Sequence, residues 1–294
     1  MRAAIIDDGA LRIEERDPPE PREGEIRIRM HAAGINGADL AQRAGGYPAP
    51  PGTVQDIPGL ECAGEADDGR RVMALLPGGG HAEVVTVDER HVLPVPETVT
   101  LAEAGGVMEV FATAHDALFT QAQLQAGERL LVNGAAGGVG VAAVQLGVAL
   151  GAYVSATARP HHDERSAMGV DLEPDGRYDV ILELVGGGNL ATDVERLATN
   201  GRLAVIGVGA GATQEIKFHL LMRARGRIHG STLRSRSAEE KAAVVARLRD
   251  DVLPLLADGR VRVPVEATFA LEDAQEAYER FASGGKFGKL VITA

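Results

Sequence analysis

The sequence predicts an α/β protein in two parts, an antiparallel, barrel-like unit and a doubly wound parallel sheet, and three observations carry that prediction. The first hundred residues alternate apolar and polar side chains with a period of two between Gly/Pro clusters. From Arg129 onward, short apolar runs and helical stretches follow one another in the order strand, helix, strand. The chain has 294 residues and is 45% hydrophobic, enough for two cores given that domains usually run to ~100–200 residues.

In chain order, Ile26, Ile28 and Met30 share one face of a strand, with Arg27, Arg29 and His31 on the other. Strand-like runs recur at Arg71 to Leu76 and Ala82 to Val87, punctuated by the clusters Ala44 to Gly52 and Pro77 to Gly80. Helix formers take over near Leu101. Strands are then expected at Arg129 to Asn133, Tyr153 to Thr157, Tyr178 to Val185, Arg202 to Val208 and Arg227 to Thr232. Val244, Val245, Leu248, Val252, Leu255 and Leu256 recur at helical spacing and predict one long amphipathic helix from Ala238 to Ala257. A short helix carrying Leu271, Ala274, Ala277, Tyr278 and Phe281 follows, and Gly288 to Thr293 reads as a closing strand that rejoins the N-terminal unit.

A formal charge of −12 sets the whole molecule against nucleic-acid backbones and anionic membranes. Arg223, Arg225, Arg227, Arg234 and Arg236 are interrupted by glycines and apolar residues and read as a solvated edge. Cys62 is the one cysteine, so an internal disulfide and a multi-thiolate zinc site are both out of reach. This usage and an N-terminus without a signal-peptide pattern predict a cytoplasmic protein. The uncharged stretch Leu130 to Ala158 is longer than the ~20 residues of a membrane span. Its glycine pattern identifies it instead as buried strand, turn, buried helix and second strand.

That pattern is Asn133-Gly134-Ala135-Ala136-Gly137-Gly138-Val139-Gly140, between an apolar strand and an apolar helix. Glycines at such a turn let the main chain approach a pyrophosphate, and the helix N-terminus offers N–H groups and partial positive charge. The spacing departs from the full G-x-G-x-x-G fingerprint but keeps its second half. It predicts a dinucleotide site with Gly134, Gly137, Gly138, Val139 and Gly140 as contacts, against the alternative of a merely flexible turn. The following strand, Tyr153 to Ala158, ends in no acid for a ribose 2′-hydroxyl. Arg159 stands there instead, followed by His161 and His162, and a guanidinium suits a 2′-phosphate, so the cofactor expected is NADPH. The alternative for Arg159 is a solvent-facing side chain.

Beyond this loop, the stretches Ala33 to Leu40, Gly45-Gly46-Tyr47-Pro48, Pro58 to Glu61, Met73 to Gly80, Phe111 to Ala114, Leu184 to Gly187, Leu233 to Arg236 and Gly288-Lys289 resemble the zinc-independent, zeta-crystallin-like quinone oxidoreductases of the medium-chain dehydrogenase/reductase superfamily. The resemblance runs nearly the whole chain in the family's order. It implies a GroES-like β-barrel catalytic domain formed by 1–112 with 263–294, joined to a Rossmann NADPH-binding domain, 113–262, with the cofactor in the cleft. Zinc-bearing relatives carry a cysteine within Asn36 to Asp39 and a histidine at Leu60, and both are missing. The chain is shorter than the family pattern between Gly64 and Val72. Most of a strand and a helix is also missing between Met168 and Tyr178.

The resemblance further implies a hydride transferred to a quinone or conjugated enone, Asn36 and Tyr47 as the catalytic residues, and Tyr47, Thr113, Val139, Gly207, Leu233 and Lys289 at the cofactor. The alternatives are an Asx cap for Asn36, a turn aromatic for Tyr47 and a surface position for Lys289. Enoyl-thioester reduction and noncatalytic NADPH binding remain open as functions. A homodimer through the strand near Gly230 is the family's habit.

Overall fold

The computed structural model describes residues 1–158, 170 and 174–294. These form two compact units, Met1–Ala112 with Leu233–Ala294, and Thr113–Thr232.

The first unit begins with a hairpin, β1 (Arg2–Asp7) and β2 (Ala10–Glu15), turning on Asp8 and Gly9, both at positive φ. Then come β3 (Glu25–Gly34), α1 (Gly37–Arg43), β4 (Glu61–Ala66), β5 (Arg71–Leu75), β6 (Val84–Asp88), β7 (Val92–Pro94), α2 (Leu101–Ala104) and α3 (Met108–His115). The strand β3 is central. It pairs antiparallel with β4 along one edge and with β6, through Glu25 to Arg29, along the other. The alternation read from Ile26 to Met30 is observed, because Ile28 and Met30 enter a core with Ala33, Cys62, Val72, Ala74 and Val85.

The second unit is a parallel sheet built from β8 (Arg129–Asn133), α4 (Gly138–Leu150), β9 (Tyr153–Thr157), β10 (Tyr178–Glu183), α5 (Asn189–Arg196), β11 (Leu197–Val205), α6 (Phe218–Ala224) and β12 (Arg227–Gly230). Its strand order is β12-β11-β10-β8-β9, with β9 at one edge among the described residues. The stretch 130–158 is β8, the turn, α4 and β9, as its glycines required, and α4 is buried along most of its length. No helix among the described residues is long and apolar enough to cross a membrane. β10 stops at Glu183 and β11 starts at Leu197, where the sequence led to Val185 and Arg202.

The chain then returns to the first unit through α7 (Ala238–Asp251), α8 (Leu253–Ala257), β13 (Val265–Ala270), α9 (Ala274–Ala282) and β14 (Lys289–Thr293). Two expectations are corrected here. The single helix from Ala238 to Ala257 breaks after Asp251, and Pro254, which cannot continue a helix ladder, sits in the first turn of α8. The stretch 233–262 also belongs with the first unit. The His91 ring bonds the Ala238 carbonyl at 2.8 Å, Arg249 donates to the Val92 carbonyl, and Thr98 to that of Ala257, which fastens α7 and α8 beside β7. β14 pairs antiparallel with β3, so the closing strand rejoins the N-terminal sheet as read, and β13 lies parallel to β14.

Candidate functional site

The second unit carries a site at the carboxyl ends of its strands. β8 lies between β9 and β10, so the chain order reverses there, which is where open parallel sheets leave a ligand crevice. Gly134 has φ +84° and its N–H, like that of Ala135, donates to the Thr157 carbonyl, tying the turn to the end of β9. A Cβ on Gly140 would lie 2.4 Å from the Gly134 carbonyl oxygen and 2.6 Å from Ala135 Cα, so helix and turn pack backbone to backbone. A Cβ on Gly137 would meet only Gly134 oxygen at 3.6 Å, an ordinary contact, which leaves its α-carbon open to a ligand. Gly137 caps α4, and Gly138, Val139 and Gly140 supply the leading N–H groups that lack helical partners. No acid stands in the first turn of α4 to compete for an anion. This cradle fits a dinucleotide pyrophosphate.

Behind the turn lies a buried polar cluster. Asn133 Nδ2 donates to Glu183 Oε2 and to Asp193 Oδ1, each at 2.8 Å, while Asn133 Oδ1 accepts from the Thr157 hydroxyl. Glu183 Oε1 takes the N–H groups of Val185 and Gly186, and the Glu183 carbonyl takes those of Ile206 and Gly207. The loops after β8, β9, β10 and β11 are thereby joined. Gly207 lies so close to the Leu184 backbone that a Cβ would approach its carbonyl oxygen to 2.3 Å. Burial, then the neighbouring Glu183 carboxyl, pushes Asp193 up to about 8, so Asp193 holds a proton at neutral pH.

The first unit holds a second buried cluster. Lys289 is 1% exposed, and its Nζ donates to Glu61 Oε1 at 2.6 Å, Asn36 Oδ1 at 2.7 Å and the Ile35 carbonyl at 2.9 Å. Asn36 Nδ2 donates to Glu61 Oε1 and the Gly34 carbonyl. Glu61 Oε2 accepts the Glu109 N–H at the start of α3, where a helix N-terminus favours a carboxylate. Gly34 makes the room, since a Cβ there would sit 2.5 Å from Glu61 Oε1 and 2.8 Å from Lys289 Nζ. Asp39 accepts from the Asn36 and Gly59 N–H groups, and burial raises it to about 6. Nearby, the buried Tyr278 hydroxyl bonds His81 Nδ1 at 3.0 Å, and burial lowers His81 to about 4, leaving it neutral.

Against this geometry stand the comparisons. An alcohol dehydrogenase GroES-like domain matches residues 22–97, and a zinc-binding dehydrogenase domain matches 158–292. The quinone oxidoreductase of Mus musculus is 30% identical over 93% of this chain and 90% of its own length. The chain belongs to the medium-chain dehydrogenase/reductase superfamily, in its quinone oxidoreductase-like branch. A crystal structure of the quinone oxidoreductase from Thermus thermophilus, which includes its complex with NADPH, superposes with TM-score 0.85 at 32% identity over 100% of both chains. A phenolphthiocerol/phthiocerol polyketide synthase of Mycobacterium tuberculosis is 29% identical over 97% of this chain, which spans 14% of that protein.

As an oxidoreductase of this superfamily, the protein places the expected site residues as follows. Gly134, Gly137, Gly138, Val139, Gly140 and Gly207 come together at the strand ends of the second unit. Thr113 opens that unit, half-buried on α3. Leu233 is buried and opens the returning segment of the first unit. Arg159, His161, His162 and Met168 lie outside the described residues.

Tyr47 is half-buried, and its hydroxyl has no hydrogen-bond partner among the described residues. Burial first, then Glu109, holds its phenol above the usual tyrosine range, and the Arg234 guanidinium opposes them. Three expectations change. Lys289 is not a surface lysine, and its three N–H donors are already spent, leaving none for a cofactor. Asn36 has both amide protons committed to Gly34 and Glu61, so as it stands it offers no donor to an acceptor oxygen. Arg234, read as part of a solvated edge, is buried, while Arg223, Arg225 and Arg227 are exposed. Glu61, Glu183, Asp193 and Arg234 escaped the sequence reading. A lone acid ending a buried strand, as at Glu183, was the signal available.

Proposed function

We propose that the protein is an NADPH-dependent reductase that delivers a hydride to quinones or conjugated enones without a metal. The observation that carries this reading is the turn from Gly134 to Gly140, open at Gly137 and headed by three N–H groups at the sheet's switch point. The relatives titled quinone oxidoreductase support the acceptor class, and the NADPH complex of the Thermus protein supports the cofactor. When bound, NADPH supplies the hydride. Gly138, Val139 and Gly140 would hold its pyrophosphate through their N–H groups, and Arg159, outside the described residues, is assigned to the 2′-phosphate. By the resemblance, Thr113, Val139, Gly207 and Leu233 are assigned to the nicotinamide half. Tyr47 brings the free hydroxyl, which donates to the oxyanion that develops on the acceptor and leaves protonation to solvent. Asn36, with Lys289 and Glu61, is assigned to holding the floor of the first unit.

Zinc does not suit these residues. By the resemblance, the family's metal-binding cysteine falls within Asn36 to Asp39 and its histidine at Leu60, neither of which is present, and the ammonium of Lys289 donates to both Asn36 and Glu61, so the cluster's carboxylate already has its counter-charge. We further propose a homodimer through β12, the sheet's other edge among the described residues, where Phe218, Met222 and Ile228 expose apolar surface. Enoyl-thioester reduction is the second reading, favoured by the similarity to the polyketide synthase over nearly the whole chain.

The test is NADPH oxidation, followed by loss of reduced-nicotinamide absorbance, with ortho- and para-quinones, 2-alkenals and a crotonyl thioester. Turnover on quinones or alkenals is expected, and it survives dialysis against a chelator. Preference for the thioester transfers the assignment to the second reading. Tight NADPH binding without turnover on any acceptor overturns both.

A further inference from the structure

We infer that Arg234 is a positioning residue, a buried guanidinium that fixes the Tyr47 loop so that the phenol meets the acceptor oxygen. The inference rests on the reading of Tyr47 as the hydrogen-bond donor.

Tyr47 sits in an irregular segment between α1 and β4, flanked by Gly45 and Gly46 before it and Pro48, Pro50 and Pro51 after it. Such a segment has many conformers, and holding a donor to the tolerance that chemistry needs requires an anchor. Arg234 is 4% exposed, and each of its side-chain nitrogens goes to a different piece of chain. Nη1 donates to the Tyr47 carbonyl at 2.9 Å, Nε to the Pro77 carbonyl at 2.9 Å, and Nη2 to Gln42 Oε1 on α1 at 2.6 Å. The guanidinium carbon also lies 5.3 Å from the centroid of the Tyr47 ring. The fork therefore grips both the backbone and the ring of Tyr47. Its own backbone is held in turn, because the buried Lys241 donates to the Arg234 carbonyl at 2.7 Å.

This arrangement is costly, which argues that it serves the site. All three acceptors are neutral, and among the described residues no carboxylate stands within salt-bridge reach of the guanidinium. Desolvation accordingly pushes Arg234 below the usual arginine range, with Asp39, Glu109, Tyr47 and Tyr278 as partial compensation. A cation used only for packing would be better replaced by an apolar side chain. Lysine does not reproduce this, because its single compact ammonium lacks the spread planar fork whose separate nitrogens reach these three acceptors while the guanidinium stays beside the ring.

A kinetic double-mutant cycle tests this on the full chain. Tyr47→Phe and Arg234→Lys are each expected to lower kcat about tenfold or more, with less than about threefold change in NADPH Kd. Combined, they are expected to lower kcat no further than Tyr47→Phe alone, because the clamp has nothing left to position. Gln42→Leu, which removes one acceptor of the fork, should lower kcat by a few fold in the native background and not at all beside Tyr47→Phe; it carries the test if Arg234→Lys fails to fold. Multiplicative losses, or a folded Arg234→Lys enzyme with native kcat, overturn the inference while leaving the donor reading intact. An unaltered kcat in Tyr47→Phe overturns the donor reading and the inference with it.

Discussion

Replacing Lys289 with methionine removes the ammonium from the first unit while nearly preserving the volume of its side chain. Glu61 would then stay fully buried with hydrogen bonds from Asn36 Nδ2 and the Glu109 N–H but no counter-charge. Breaking a buried pair from one side costs ~3–5 kcal/mol, since the remaining ion keeps its desolvation penalty. In a unit of this size each kcal/mol moves the midpoint by roughly 2–4 °C, so the first unit should melt roughly 6–20 °C lower. The assay is thermal unfolding followed by calorimetry, which resolves two units that need not melt together. A control is built in: adding Glu61→Gln to Lys289→Met leaves no net charge buried and should regain roughly half of the loss. A midpoint within about 2 °C of native for Lys289→Met, or a double variant worse than the single one, would refute the claim that this pair is closed to solvent and mutually dependent.

Three further outcomes follow from the second unit. Gly137→Ala should weaken NADPH binding at least about tenfold with little change in melting, because the new methyl meets only an ordinary contact in the free protein but occupies the ligand's approach; Gly140→Ala, with backbone at 2.4 Å, should lower both. Asp193 is raised from its unfolded value to about 8, so the folded state holds the extra proton and stability falls as pH rises from about 4 to about 8. Asp193→Asn, which mimics the protonated acid, should therefore melt higher than native at pH above about 8 and alike near pH 4, and parallel pH profiles would contradict a protonated Asp193 at neutral pH. Arg159→Glu should weaken NADPH far more than NADH in fluorescence titrations, and equal losses for both would end the 2′-phosphate assignment.

What the sequence disclosed was whatever is local in the chain. The ends of β8 and β9 were read to the residue because each is a buried parallel strand bounded by turn residues, and the glycine turn sits between them. The fold of both units followed from period and order. What escaped reading depended on partners distant in sequence: Lys289 meets Glu61 across 228 positions, and Arg234 meets Tyr47 across 187. An arginine among glycines looks like surface until the loops that fold over it are known. Asn36 does stand at the N-cap of α1, with its N–H held by Asp39 as the cap reading has it, but the lysine of the last strand that meets its side-chain oxygen was not legible. The split between the units failed for a related reason, because the amphipathic face of α7 says that it is buried but not against which sheet.

Everything proposed for the second unit requires the turn at the head of α4 to grip a nicotinamide dinucleotide. Isothermal titration of the folded protein with NADPH and then NADH addresses this directly. Saturable heat with NADPH at an affinity at least about tenfold above that for NADH, abolished by Gly137→Ala, is the predicted result. No heat from either nucleotide with a protein that still melts cooperatively would contradict it.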